Sequence, residues 1–235
     1  MARLCLTVEG QAEQGFAIRV LRPHLADRGV FLTGVRLTSL GRKKGRTHRG
    51  GVARYPTLKK DIENWMKEDR AGDVFFTTMI DLYGLPRDFP GYRDASSASD
   101  PYERIAGLEL ALREDLGDRR FIPYLQLHEF EALLFSDPSA LKTYYGEEYA
   151  PGVEGLARVV ASSSNPELID DGERTAPSKR IGIEIPRYLR EKASAGPLIA
   201  AQIGLDVIRS KCRHFREWLA KLEALGASSG EVSSS

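Results

Sequence analysis

Residues 4–13 read LCLTVEGQAE, an apolar run, Leu4–Val8, closed by an acid, a glycine and a second acid. A short continuous apolar run bounded by a glycine reads as a strand buried on both faces, the kind found in parallel sheets covered by helices. Residues 74–81, VFFTTMID, repeat the arrangement with β-branched and aromatic residues ahead of Asp81. Phe121–Leu127 is a third run, followed by Glu129 and Glu131. A carboxylate that leaves a buried parallel strand lands at the carboxyl edge of the sheet, where open α/β folds bind their ligands.

Outward from these runs, strand and helix alternate. Residues 12–26 carry helical spacing through Phe16, Ile18, Val20, Leu21 and Leu25, with Pro23 marking a kink or break and Gly29 a stop. Val35–Leu40 is a further strand. Residues 41–54, GRKKGRTHRGGVAR, form a Gly-rich basic loop with six Lys/Arg and no acid. Thr57 caps a helix reaching about Arg70, with Leu58, Ile62, Trp65 and Met66 on one face. A Gly/Pro/Ser/Asp-rich loop covers 82–99, and Tyr102–Leu116 is an amphipathic helix. Beyond Glu131, prolines at 138, 151, 166, 177, 186 and 197 break the chain into short helical pieces, ahead of a closing helix, His214–Leu225. The expectation is an α/β fold with a mainly parallel central sheet flanked by helices. Residues 1–137 would form that core, 138–226 a helical extension packed on it, and 227–235 a disordered Gly/Ser tail.

The 235 residues are enough for one substantial core. Lys and Arg number 34 against 33 Asp and Glu, a net charge of +1, so whole-chain charge does not call for nucleic acid, although the 41–54 segment does locally. The two cysteines, Cys5 and Cys212, form no CxxC pair and the four histidines show no zinc spacing. A reducing, cytoplasmic setting fits that usage. No run approaches the about eighteen apolar residues of a membrane span, and no Walker phosphate loop is present.

The acids carry the chemistry. Glu9 and Glu13 fall four apart and share a face if helix begins near Gly10. Each alone has an ordinary use at a helix start, as Asp81 has in a turn. Together with Glu131 they supply hard oxygen ligands of the type that bind a divalent cation and support phosphate chemistry. If residues 127–135 are helical, His128, Glu131 and Phe135 share a face; if the strand persists, Glu129 and Glu131 point the same way. His128 is read as a general base or, more plainly, a structural histidine.

At these residues the chain resembles a Toprim domain of the nuclease branch, the overcoming-lysogenization-defect type and its small relatives encoded beside an ATPase. The strings VEGQAEQGF, IDLYGLPRDFPG, LHEFEALLFSD, TAPSKRI and KCRHFREWL are similar to a prokaryotic family of unknown function with that fold, domain of unknown function 4276. The resemblance spans residue 3 to about 225. It implies a Toprim-like fold in which Glu9 is the motif glutamate, Glu13 the second acid, Asp81 the first aspartate of a DxD motif, and Glu131 the glutamate of a shared F-E string. It implies Mg²⁺ or Mn²⁺ held by Glu9, Glu13, Asp81 and Glu131. It also implies a lysine that stabilises the phosphorane, for which Lys179 is the candidate and Arg180 the second. The chain departs from the pattern at Tyr83, where the second DxD acid is expected; Glu129, Glu131 or Asp137 would have to compensate.

The resemblance implies a metal-dependent nuclease acting on DNA or RNA, working with a separate ATPase subunit in prokaryotic anti-phage defence; homo-oligomer formation stays open. Arg42, Lys43, Lys44, Arg46, Arg49 and Arg54 are the expected phosphate contacts. The rival expectation is a non-catalytic nucleic-acid-binding or scaffold subunit in which Tyr83 marks a degenerate site. A small-molecule phosphotransferase is disfavoured by the lack of a nucleotide-binding glycine loop.

Overall fold

The computed structural model describes residues 1–43, 46–49, 52, 54–169 and 175–228. Strand β1 (Ala2–Val8) runs up the middle of a five-stranded parallel sheet. It pairs on one side with β2 (Val30–Leu37) and on the other with β5 (Val74–Asp81), which in turn pairs with the two short strands β6 (Phe121–Ile122) and β7 (Leu125–Gln126). The pleat sorts the side chains. Leu4, Leu6 and Val8 face one apolar layer with Phe75 and Met79, while Cys5 faces the other with Val74, Phe76 and Ile80.

The first layer holds the helical run after β1: α1 (Gln11–Phe16), a π-helical turn (Ala17–Leu21) and α2 (Arg22–Ala26). The second layer holds α3 (Tyr55–Glu68) and α5 (Pro101–Leu116), with the short α4 (Tyr92–Ala95) before α5. A 3₁₀ segment, Phe130–Ser136, then leads into α6 (Ser139–Tyr145), α7 (Ala150–Ser162), α8 (Pro177–Glu184), α9 (Tyr188–Ile203), α10 (Leu205–Lys211) and α11 (Arg213–Ser228). Apolar residues of the 3₁₀ segment and of α6–α11 share the first layer's core with β1 and α1. The expected mainly parallel sheet with flanking helices and a helical C-terminal portion is the observed architecture.

Several local expectations change. Pro23 does not end the helix: it follows directly on the π-helical turn, whose wider bonding (Arg22 N–H to Ala17 O) accommodates a residue with no N–H, and the helical run continues to Ala26. The second strand begins at Val30, not Val35, and ends at Leu37. Gly34 hid it: a Cβ there would sit 2.6 Å from the Trp65 ring, so packing requires glycine in mid-strand. Phe121–Leu127 is not one strand. Pro123 has no N–H to give, and Tyr124 N–H donates to Thr78 Oγ1 (3.1 Å) in place of a ladder bond. The expected basic loop is an antiparallel hairpin, β3 (Ser39–Lys43) with β4 (Arg46–Arg49). Backbone pairing needs no apolar side chain, so this charged stretch carries no periodic signal of it. Tail residues 229–235 lie outside the described residues.

His214, Phe215 and Trp218 are buried, as a core reading of the last helix requires. Glu167 accepts the N–H groups of His214 and Phe215 at 2.8 Å each, and so satisfies donors that open α11.

Helix α9 reaches the sheet edge because it packs closely on α1. A Cβ at Gly15 would come within 2.7 Å of Pro197 Cγ, so the two helices approach only with glycine there. We expect Gly15→Ala to destabilise the fold by about 1–3 kcal/mol through overpacking, read as a fall in denaturation midpoint. An unchanged midpoint would mean that α9 shifts freely.

Candidate metal centre at the carboxyl edge of the sheet

Asp81 is the last residue of β5, and the pleat directs its side chain towards the layer of α1 and α9. There it lines a cavity of about 240 Å³ with Glu9, Glu13, Glu131 and Lys192. Glu9 follows β1, and its Oε2 accepts the Asp81 N–H at 3.0 Å, tying the two strand ends together. Glu13 lies in α1, and its Oε2 accepts the Gly10 N–H at 2.8 Å, closing the helix start. Glu131 lies in the 3₁₀ segment, where its Oε1 accepts Tyr188 O–H at 3.0 Å and lies 3.9 Å from Lys192 Nζ. Tyr188 and Lys192 are four apart on α9 and lie on one side of it, Tyr188 buried and Lys192 half-exposed at the cavity.

Four carboxylates therefore face one ammonium. Glu13 and Glu131 are 5% and 2% exposed, and burial pushes both carboxyls up to about 7, with neighbouring acids adding to it. Burial raises Glu9, offset in part by the Asp81 N–H and Lys192. Asp81 is raised well above the usual carboxylate range by burial, then by Glu13, Glu9 and Glu131. Lys192 is raised as well, for a different reason: Glu131 first, against the lysine's own burial, strengthens its hold on the proton.

Asp81 Oδ1 is buried and has no hydrogen-bond partner among the described residues. A buried oxygen of a potential anion costs stability unless a cation or donor satisfies it. The donor set, all carboxylate oxygen, suits a hard divalent cation. Among the described residues, however, no three His, Cys, Asp or Glu side chains stand in chelating positions. The hydrogen bonds above explain this, since Glu9, Glu13 and Glu131 are each turned onto a protein donor.

The pH dependence follows. An acid whose folded pKa is raised holds its proton where the unfolded chain has released it, so stability falls as pH rises between the two values. We expect the cation-free protein to lose stability from about pH 4.5 to pH 7, by on the order of 3 kcal/mol for a group shifted like Glu13. Melting curves at pH 5 and pH 8 check this, and equal midpoints would contradict it.

The other sequence candidates are spread more widely. Glu129 points to α8, accepting the Ser178 N–H at 2.8 Å. Asp137 accepts the Ser139 N–H and O–H at the start of α6 and does not line the cavity. Tyr83 is 40% exposed in the 3₁₀ turn Leu82–Gly84, its N–H donating to His128 O at 3.1 Å. His128 has φ 61, the sole non-glycine residue with positive φ among those described, and its left-handed turn starts the path from β7 to Glu131. Lys179 is exposed on α8 and outside the cavity lining, while Arg180 Nε donates to Thr175 O at 2.7 Å. Lys192 was not picked out from sequence; its signal was the i, i+4 spacing from Tyr188, which is ordinary in a helix.

The hairpin β3–β4 leaves the same edge, directly after β2. Lys44 and the side chains of Arg42, Lys43, Arg46 and Arg49 lie outside the described residues. Arg54 is exposed, with its Nε 3.8 Å from Asp88 Oδ2.

The model of a family described as "Domain of unknown function (DUF4276)" matches residues 8–223. The chain belongs to this family. No curated protein matches this DUF4276 chain. Two crystal structures of the C-terminal region of the Xanthomonas campestris pv. campestris OLD protein are similar to it, each at 16% identity over 98% of the chain. The platinum-phased structure is covered over 96% of its length with a TM-score of 0.48, and the iodine-phased one over 98% with 0.47. No helix among the described residues is long and apolar enough to cross a membrane.

Proposed function

We propose that this DUF4276 protein is a Toprim-like, metal-dependent phosphodiesterase that hydrolyses DNA or RNA. The observation that carries the reading is the partnerless, buried Asp81 Oδ1 amid Glu9, Glu13 and Glu131. Such a cluster is relieved by protons or by a divalent cation, and Mg²⁺ or Mn²⁺ is the cation its oxygens suit. When bound, the cation would polarise a phosphoryl oxygen and lower the pKa of the attacking water.

The chain's own groups do the rest. Glu9, Glu13, Asp81 and Glu131 hold the ion, and Tyr188 orients Glu131. Lys192, kept protonated by the acids around it, lines the cavity and stabilises the charge that develops on the phosphate. We assign it the role that the family resemblance left to Lys179. The basic hairpin, leaving the same sheet edge, would track the phosphate backbone. An ATPase partner and a part in anti-phage defence extend this proposal on the resemblance alone.

One observation favours a scaffold reading: Tyr83 stands, partly exposed, where a second DxD acid is expected. Calorimetric titration of Mn²⁺ into wild type and a Glu9→Ala, Asp81→Ala double variant, followed by cleavage assays on DNA and RNA, separates the two. Binding and cleavage that both vanish in the variant support the enzyme. Nucleic-acid binding without Mn²⁺ binding supports the scaffold.

A further inference from the structure

We infer that a second cavity, on the α3 side of the same sheet edge, is a subsite for one unstacked nucleobase. The inference rests on the nucleic-acid reading above and goes beyond it in naming what the protein grips.

The cavity, about 330 Å³, is lined by Thr7, Arg36, Ser39, Asp61, Asn64 and Trp65, among others. Its place follows from the sheet. Val8 pairs with Leu37, Thr38 N–H donates to Val8 O (2.9 Å), and Thr38 Oγ1 donates to Glu9 O (3.3 Å). Ser39 then turns to α3, its N–H and O–H donating to Asp61 Oδ2 at 2.9 and 2.5 Å. The cavity thus lies one strand across from Glu9, about 5 Å in the pairing direction, on the opposite face of the sheet.

The lining selects a base over a phosphate. Among the described residues Arg36 is the one cation of the lining, and Glu68 holds it through two hydrogen bonds, at 3.1 and 2.6 Å. With Asp61 these described residues carry excess negative charge, which disfavours a phosphate beside them. Arg36 instead offers a flat surface: its guanidinium carbon lies 4.2 Å from the centroid of the Trp65 ring. Half-exposed, paired with Glu68 and lying over the indole, Arg36 lines the cavity, so that a base entering it would meet the guanidinium. Guanidinium planes of this kind stack unpaired bases. Asn64 supplies an amide donor and acceptor, and Asp61 a carboxylate acceptor for a base's amino group. A base can reach this plane only when it is out of a duplex, so the proposal predicts preference for single-stranded or flipped substrate.

The test uses the full chain in EDTA, so that the metal site plays no part. Adenosine, guanosine, cytidine and uridine are titrated, with ribose 5-phosphate as the base-free probe, following the Trp65 indole N–H by NMR. We expect saturable shifts with the nucleosides, none with ribose 5-phosphate, and affinity weakened about tenfold in both Arg36→Ala and Arg36→Lys. The Glu9→Ala, Asp81→Ala variant should bind nucleosides as wild type does, which separates failure of the metal reading from failure of this one. Unchanged affinity in folded Arg36→Ala, equal response to ribose 5-phosphate, or no saturation with any nucleoside at millimolar concentration would each overturn the subsite.

Discussion

Replacing Asp81 by asparagine is expected to stabilise the cation-free protein at pH 8 while removing metal-dependent cleavage. The two effects share one cause. In the wild type a half-buried aspartate, whose buried Oδ1 has no partner among the described residues, faces Glu9, Glu13 and Glu131. Asparagine removes one negative charge from that group and brings an N–H₂ that finds acceptors among the remaining carboxylates. The expected gain is about 1–2 kcal/mol in the absence of metal, on the scale of satisfying one buried polar group. The same change removes an anionic ligand, and cleavage with Mg²⁺ or Mn²⁺ should fall by at least about 10²-fold. Denaturation midpoints with and without Mn²⁺, together with initial cleavage rates, measure both. A destabilised variant would mean that the Asp81 carboxylate makes a favourable contact in the folded protein, and retained cleavage would remove Asp81 from the site.

Lys192→Met should lower the cleavage rate by about 10²–10³-fold, the usual cost of losing a donor aimed at developing charge. Metal affinity should not fall with it, because deleting a cation among carboxylates leaves the site more negative. A variant that loses rate and metal binding together would assign Lys192 a structural role. Lys179→Ala, exposed on α8 and outside the cavity lining, should change the rate far less. The reverse ranking would return the role to Lys179.

Glu9 and Asp81 were legible because each closes an apolar strand pattern, while Glu13 and Glu131 lie a few residues beyond such patterns, in α1 and in the 3₁₀ segment. Strand-end position is a local property, and parallel pairing sends every such end to one edge. Lys192 was not legible, since α9 reaches that edge only through the approach of Gly15 to Pro197. The Trp65–Arg36–Asp61 cavity was hidden for a similar reason. Trp65 reads as one apolar residue of an amphipathic helix, and its cover comes from β2, whose start was masked by Gly34. The β3–β4 hairpin was missed because its pairing is made by backbone groups.

The sequence by itself determined the alternation of buried strands and amphipathic helices, and with it the parallel sheet and the edge where its acids gather. Those follow from apolar periodicity, which local sequence carries in full. The tertiary structure decided which groups meet there: Glu131 with Tyr188 and Lys192, Glu9 with the Asp81 amide, and Asp81 Oδ1 with no partner among the described residues. These meetings depend on how closely helices far apart in sequence pack on the sheet, and that is set by side-chain volumes across the whole core.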